Sequence, residues 1–256
     1  MKDDYSYITM IERGQMILKK LYESENPLGV SEISQKLDLP KATTYRILLT
    51  LLKEGYVRKD EEDKYRLGQI FIKYGEKVKD EIDVHTVSKP YIKELAVDTK
   101  EAVNLAVDYE EQALILERAE GERTSLVARL IATTPYHCSS SGKIMLSKKS
   151  DSYIKEYFQK TLEKRTINTI IEHKEFLKEK KEIDKLDYAV DDEEYEYGLY
   201  CIASPLYSEN KKLIGVVSLS GPKSRMEYKG IEKLRKKLIR QTAKINKEIK
   251  KIGIKE

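Results

Sequence analysis

Two short amphipathic segments that meet at a proline constrain the fold of this chain more than any other feature. The stretch from Val30 to Gly55 reads VSEISQKLDLPKATTYRILLTLLKEG, and Pro40 stands where its second segment starts. Proline suits the first position of a helix, because the N–H that it lacks would have no partner there and its fixed φ matches the helix. From Pro40 onward, apolar side chains recur at helical spacing and can face a core. The stretch therefore predicts a helix-turn-helix that ends near Gly55.

The outward face of the second helix is small, polar and basic. Its residues are Lys41, Thr43, Tyr45 and Arg46. Such a face is typical of a recognition helix, which enters the major groove of DNA and reaches the base edges. The whole chain is nearly balanced, with 48 Lys and Arg against 44 Asp and Glu, but the stretch 40–59 holds five basic residues and one acid. Because such a local excess can neutralise phosphates, we expect these four residues to contact DNA.

A predicted hairpin follows the helix-turn-helix. Segments 56–59 and 64–67 read as short strands, and an acidic turn joins them. A helix-turn-helix followed by a hairpin makes a winged helix. Phosphate would repel the acidic tip of the hairpin, so we expect the strands to contact DNA through Lys59, Lys64 and Arg66. Apolar residues at helical spacing between Gly68 and Asp83 then predict a linker helix.

The remainder of the chain alternates between helical and strand patterns. A helix is expected over 84–98, a second from 142, mostly helical structure over 152–185, and a last helix that begins near 231. Strands are expected at 102–108, 112–117, 125–131, 188–191, 199–206 and 213–219. The sequence therefore predicts an α+β fold in three parts: a winged helix-turn-helix over 1–67, a linker helix over 68–83 and a second domain over 84–256.

Composition bounds the class of protein. Hydrophobic residues make up 40% and charged residues 36%, which is typical of a soluble globular protein with a heavily solvated surface. The sequence has no apolar run that predicts a membrane helix, and no signal-peptide pattern. Two cysteines are too few for a disulfide framework and fit a reducing compartment. We therefore expect a cytoplasmic protein with no membrane partner.

Three motifs together resemble the IclR family of bacterial and archaeal transcriptional regulators. They are LPKATTYRILLTLLKEGYVRKDEEDKYRLG at 39–68, PYHCSSSGKIML at 135–146, and LDYAVDDEEYEYGLYCIASPLY at 186–207 followed by VVSLSGPKSRM at 216–226. The resemblance extends over 8–226. It implies an N-terminal winged helix, a linker helix and a C-terminal α/β effector-binding domain related to the GAF fold. It also implies a homodimer or dimer of dimers on a palindromic double-stranded DNA operator.

The same resemblance implies a pocket for a small effector. Matched position by position, its polar residues are Ser140, Ser141, Asp191, Cys201, Ser218 and Ser220, and its apolar walls are Leu130 and Leu199. Hydroxyl groups, backbone N–H groups beside Gly142 and the Asp191 carboxylate suit a small organic acid as effector. Smaller residues are common in the family at positions 140 and 141, so two serines predict a tighter or more polar pocket.

Other interpretations of the same residues stay open. Cys201 could be a small core residue in a strand. His137 lies beside Cys138 and three serines, but without a positioned third group or an oxyanion site we interpret it as a structural hydrogen-bonding residue. A metal bound by His137, either cysteine or Asp191 is chemically possible, although these residues lack the short spacing of a metal site. We therefore expect no metal, no cofactor beyond the effector, and no catalytic residue.

The residues and the resemblance together predict a ligand-responsive, DNA-binding transcriptional regulator that is not an enzyme. A repressor is expected, and an activator stays open. Two other classes stay open. The second domain could be an enzyme fused to a DNA-binding domain, which turnover of a bound metabolite would reveal. The protein could also be a constitutive architectural DNA binder, which would not respond to any ligand.

Overall fold

The computed structural model describes residues 8–121 and 132–254. They form two compact units that divide between Glu81 and Ile82, each with its own hydrophobic core. The predicted linker region contains a helix that belongs to the first unit. The strand predicted over 125–131, and with it Leu130, lies outside the described residues.

The first unit is a winged helix. Its core includes Ile17, Ile33 and Leu48, which are fully buried. The hairpin strands pair antiparallel, with Arg58 opposite Arg66. The predicted helix-turn-helix and wing are confirmed, and the elements are α1 (Thr9–Tyr22), α2 (Val30–Leu37), α3 (Lys41–Lys53), β1 (Val57–Lys59), β2 (Tyr65–Leu67) and α4 (Ile70–Asp80).

Left-handed backbone positions end both helices of the helix-turn-helix. Asp38 follows α2 with φ of 50°, and Gly55 lies just past α3 with φ of 77°. Aspartate and glycine tolerate this conformation better than most residues, which is why helices often stop at them. Pro40 stands immediately before α3, and its carbonyl accepts the N–H of Thr44 at 2.9 Å. The local sequence thus fixes where the recognition helix begins and ends.

The second unit is built on one six-stranded antiparallel sheet with strand order β5-β4-β3-β8-β7-β6. Its strands are β3 (Ala102–Tyr109), β4 (Gln112–Ala119), β5 (Thr133–Pro135), β6 (Ala189–Asp192), β7 (Leu199–Tyr207) and β8 (Leu213–Pro222). Its helices are α5 (Asp83–Thr99), α6 (Ser140–Ser147), α7 (Asp151–Tyr157), α8 (His173–Leu186), α9 (Lys223–Lys229) and α10 (Ile231–Ile252). The α+β prediction is confirmed.

The two faces of this sheet differ in chemistry. Side chains alternate between faces along a strand, so on β8 Val217 and Leu219 lie together in the core formed with α5 and α10. Val216 packs in the core on the opposite face, formed with α6, α7 and α8. Ser218 and Ser220 share that opposite face and line a cavity there. Apolar and polar positions thus alternate along one strand, and the polar ones meet α6.

A β-bulge interrupts the alternation in β4. Ile115 pairs with Ala106, whereas Glu117 pairs with Leu105, so Leu116 is an extra residue on its strand. Leu116 packs in the core beside α5, and Glu117 on the same side contacts the buried His85 of α5 at 2.8 Å. The bulge therefore shifts the rest of β4 by one position relative to a regular strand, so that Arg118 faces away from α5.

The prediction of mostly helical structure over 152–185 is wrong for its middle. Residues 158–172 are not helical and separate α7 from α8. The hydroxyls of Thr166 and Thr169 donate to the carbonyls of Glu193 and Glu194 at 2.6 and 2.7 Å. The Thr169 hydroxyl also accepts the N–H groups of Arg165 and Thr166 at 3.1 and 2.8 Å, and side chains that bond the local backbone in this way compete with helix formation. Helix α9 was not predicted.

Candidate functional site

The first unit presents a groove between the recognition helix and the wing. Lys41 and Tyr45 line it from α3, and Lys64 lines it from the hairpin. Acidic groups of α2 and the wing, including Glu32 and Glu62, line it as well. Three of the residues predicted to contact DNA therefore lie on one surface, with positive and negative groups side by side.

The remaining residues predicted to contact DNA are not among those that line this groove, although Lys59 pairs with Asp63, which does line it. Arg46 is exposed on α3 and Thr43 is half-buried. Arg66 lies opposite Arg58 in the hairpin and lines a separate cleft beside the end of α1. Arg58 lines the same cleft and was not among the residues predicted to contact DNA.

The wing lysines are already paired with acids of the wing turn. Lys59 Nζ lies 2.5 Å from Asp63 Oδ1, and Lys64 Nζ lies 2.7 Å from Glu62 Oε2. These hydrogen bonds raise the pKa of both lysines. A phosphate group that binds either lysine therefore competes with a nearby carboxylate for the ammonium group.

The second unit holds a polar cavity between the sheet and the start of α6. All seven described residues that were predicted to form the effector pocket line it. Sequence reasoning missed the other lining residues, most of which lie on β3, β4 and β5 at positions outside the family motifs. The full lining is Asn104, Ala106, Ile115, Arg118, Thr134, Ser139, Ser140, Ser141, Asp191, Tyr195, Leu199, Cys201, Ser218 and Ser220.

Ser139 caps the helix that closes the cavity. Its Oγ accepts the N–H of Gly142 at 3.1 Å and donates to the Pro135 carbonyl at 2.7 Å. The N–H groups of Ser140 and Ser141 belong to the first turn, where a helix offers no acceptor of its own. A helix start of this kind carries partial positive charge and suits a ligand oxygen.

Asp191 is the buried acid of the cavity. It is 1% exposed, and its Oδ1 accepts the N–H groups of Glu194 and Tyr195 at 2.8 and 3.2 Å. Burial raises the pKa of Asp191 to about 6, against the opposing effect of these two N–H groups. Near neutral pH the carboxyl is therefore ionised, and its remaining lone pairs can accept from a hydroxyl or N–H group.

A buried lysine supports the same wall of the cavity. Lys143 of α6 is 1% exposed, and its Nζ lies 2.5 Å from Glu194 Oε1 and 2.7 Å from Glu179 Oε1. Burial opposes its charge, but attraction by Glu194 and Glu179 outweighs burial and raises the pKa of Lys143. This ion pair ties α6 to α8 and to the loop after Asp191.

The cysteine and histidine side chains have structural contacts. Burial, with a contribution from Asp191, raises the pKa of Cys201 well above its usual value, and burial raises that of Cys138 to about 12. Both thiols are therefore neutral and poor nucleophiles. His137 contacts the Tyr157 hydroxyl and the Glu163 carbonyl at 3.0 Å each, in agreement with its predicted structural role.

No group of three or more His, Cys, Asp and Glu side chains is placed to hold a metal ion among residues 8–121 and 132–254. In the same part of the chain, no helix has the length and apolar character needed to cross a membrane.

Comparison of the sequence with models of known families identifies the class of protein to which the chain belongs. A family model described as the IclR helix-turn-helix domain matches residues 10–61. A second, described as the bacterial transcriptional regulator IclR C-terminal domain, matches residues 76–247. The chain belongs to the IclR family. This family consists of transcriptional regulators, and its helix-turn-helix domain implies DNA binding.

Individual IclR relatives cover most of the chain. The HTH-type transcriptional repressor AllR of Escherichia coli K12 is 31% identical over 219 residues, which are 84% of this chain and 81% of the repressor. The crystal structure of the Thermotoga maritima IclR has a TM-score of 0.73 at 26% identity and covers 95% of this chain and 100% of its own. A structure of an IclR homologue from Microbacterium hydrocarbonoxydans, complexed with 4-hydroxybenzoate, has a TM-score of 0.82 at 21% identity. The comparison covers 94% of this chain and 99% of the homologue.

Proposed function

We propose that this IclR-family protein is a ligand-responsive transcriptional repressor whose second unit senses a small carboxylate-type metabolite. One observation carries the proposal: seven residues from four separate elements, matched to the family's effector pocket, line a single polar cavity. Relatives that share the chain's full architecture are named repressors. The 4-hydroxybenzoate complex of a homologue supports a carboxylate as the ligand class.

The proposed response depends on a difference in ligand affinity between two forms of the protein. A ligand can change operator affinity only if it binds one form better than the other, and the coupling is reciprocal. We propose that the effector binds more tightly to the form with lower affinity for DNA. Dimers or dimers of dimers would then leave a palindromic double-stranded operator when the metabolite accumulates.

Asp191→Asn tests the sensing part of the proposal. Asparagine keeps an oxygen that can accept the N–H groups of Glu194 and Tyr195, but it removes the charge of the carboxylate. We expect operator affinity without ligand to stay as in the wild type. If Asp191 accepts an O–H or N–H group of the acid, the concentration needed for operator release should rise by about tenfold or more, because a hydrogen bond to a charged group is worth roughly 1.5–3 kcal/mol.

The operator is first selected from a pool of random DNA duplexes by its binding to the protein. Fluorescence anisotropy of the labelled operator then measures both the operator affinity and the acid concentration needed for release. Asp192→Asn is the matched control, since this neighbouring acid is not among the cavity-lining residues and pairs with Lys223 at 2.7 Å. An unchanged acid response in the Asp191 variant would remove the carboxylate from the sensing site. Loss of operator binding together with the response would indicate a folding role instead.

Arg46→Ala tests the DNA-binding part. Arg46 is exposed on the recognition helix, and we expect its removal to weaken operator binding by about 1–3 kcal/mol if the guanidinium contacts a base. The measurement is anisotropy at one fixed salt concentration. Lys19→Ala removes an exposed positive charge from α1, outside the recognition helix, and serves as the control. Equal binding by the two variants would exclude Arg46 from base recognition.

A further inference from the structure

A cationic side chain lies at the β4 end of the cavity, away from the family motifs. Arg118 lines the cavity, and its side chain is 21% exposed. Among the described lining residues, it alone carries a permanent positive charge. Asp191 carries the opposite charge on β6, four strands away in the sheet. The cavity therefore has a cationic end and an anionic end.

The β-bulge in β4 brings Arg118 to this face. Glu117 turns toward α5, and Arg118 then pairs directly with Asn104 of β3. Side chains of directly opposed residues on one face have Cβ atoms roughly 4.5–5.5 Å apart. Arg118 and Asn104 can therefore contact two neighbouring groups of one small molecule.

Asn104 offers an acceptor that no described residue uses. It is 6% exposed, and its Nδ2 lies 3.4 Å from the hydroxyl oxygens of both Ser218 and Ser220. Its Oδ1 is buried and has no hydrogen-bond partner among the described residues. A buried carbonyl oxygen without a partner is costly, roughly 1–3 kcal/mol, so it is a suitable place for a ligand O–H or N–H group.

Two places in the cavity attract an anion, and they differ in strength. The start of α6 is equivalent to about half an elementary charge, whereas a guanidinium carries a full charge and can donate two parallel hydrogen bonds to a carboxylate.

The size of the cavity is a second constraint on the ligand. The cavity encloses about 60 Å³, which at roughly 10–15 Å³ per water position suits a ligand of only a few non-hydrogen atoms.

We propose that Arg118 binds the carboxylate of the effector and that Asn104 Oδ1 accepts an O–H or N–H group from the same molecule. The ligand class is a short acid with a hydrogen-bond donor close to its carboxylate, such as a 2-hydroxy acid. The inference rests on the proposed function and adds the placement of the carboxylate and the requirement for a donor.

Glu120 competes with such a ligand. Its Oε1 lies 2.5 Å from Arg118 Nε, and its side chain is 44% exposed. A ligand carboxylate must share the guanidinium with this acid or displace it. Removing the acid should therefore strengthen ligand binding, an effect that a purely structural arginine would not produce.

Calorimetry on the full-length protein with matched probes tests the inference. The probes are glycolate, acetate and glycolamide, together with lactate, propionate and lactamide. We expect the wild type to bind at least one hydroxy acid about tenfold or more tightly than both its deoxy acid and its amide. Arg118→Leu should remove the preference for the acid over the amide, and Asn104→Leu should remove the preference for the hydroxy acid over the deoxy acid. Glu120→Gln should tighten binding of the hydroxy acid.

Arg118→Lys keeps the charge and should retain part of the preference, and the thermal midpoint without ligand reports whether each variant is folded. If Arg118→Leu misfolds, the Glu120→Gln and Arg118→Lys results decide. The inference is overturned if no hydroxy acid binds, if Arg118→Leu keeps the preference for the acid, or if Glu120→Gln and Arg118→Lys both bind like the wild type. Operator release by another carboxylate, dependent on Asp191, would leave the proposed function standing while this inference fails.

Discussion

Lys143→Met is expected to lower the free energy of unfolding of the second unit by about 3–5 kcal/mol, the usual cost of removing one partner from a buried ion pair. Methionine fills most of the volume of the lysine side chain, so the loss comes from charge. Glu194 and Glu179, which lie 2.5 and 2.7 Å from Lys143 Nζ, would be left without their cation, and the Glu194 side chain is only 10% exposed.

Chemical denaturation followed by circular dichroism measures this loss. Lys148→Met is the matched control, because Lys148 follows α6 directly and pairs with the half-exposed Asp184 at 2.9 Å. Partly exposed pairs of this kind contribute about 1 kcal/mol or less. Adding Glu194→Gln to Lys143→Met should recover part of the loss. Equal losses for Lys143→Met and Lys148→Met would contradict the view that the buried pair holds α6 in place.

Gly142→Ala is the second large expected effect. A Cβ at this position would lie 2.6 Å from Tyr136 Cα and 2.6 Å from Ser139 Oγ, and closer still to the Pro135 carbonyl oxygen. Backbone atoms cannot move aside cheaply, so we expect a loss of about 3 kcal/mol, at the upper end for overpacking. The displaced turn would carry Ser140 and Ser141, so ligand binding should weaken as well.

Gly75→Ala separates this effect from the general consequences of adding a methyl group. Gly75 lies within α4, and a Cβ there would meet nothing within 4 Å. Alanine is favoured over glycine inside a helix by about 1 kcal/mol, so this variant should be slightly more stable than the wild type. Thermal midpoints of both variants provide the comparison. A Gly142 variant as stable as the wild type would show that the turn before α6 adapts to the added methyl group.

The sequence predicted the first unit well because its signals are local. Pro40, Gly55 and the spacing of apolar residues specify helices and their ends within a few neighbours. The break between α7 and α8 was missed, because it depends on Thr166 and Thr169 bonding to a loop about 25 residues further along the chain. The spacing of apolar residues along a segment gives no information about hydrogen bonds to a loop so far along the chain.

The cavity was predicted in part for a related reason. Residues in recognisable motifs, such as Ser140, Asp191 and Cys201, were named in advance, and the structure brings them together. Asn104 and Arg118 were not named, because they belong to strands whose residues alternate without a motif. Strict alternation from Ile115 would also place Arg118 on the face opposite the cavity, and only the extra residue in β4 reverses this.

The position of the extra residue in β4 decides which charged side chain faces the cavity at this end. If the strand accommodated its extra residue after position 118 instead of at Leu116, Glu117 and Arg118 would exchange faces, and the cavity would present an acid where it now presents a base. Ligand preference would then shift from anions toward cations. A comparison with a relative must therefore locate the bulge before it assigns position 117 or position 118 to the cavity.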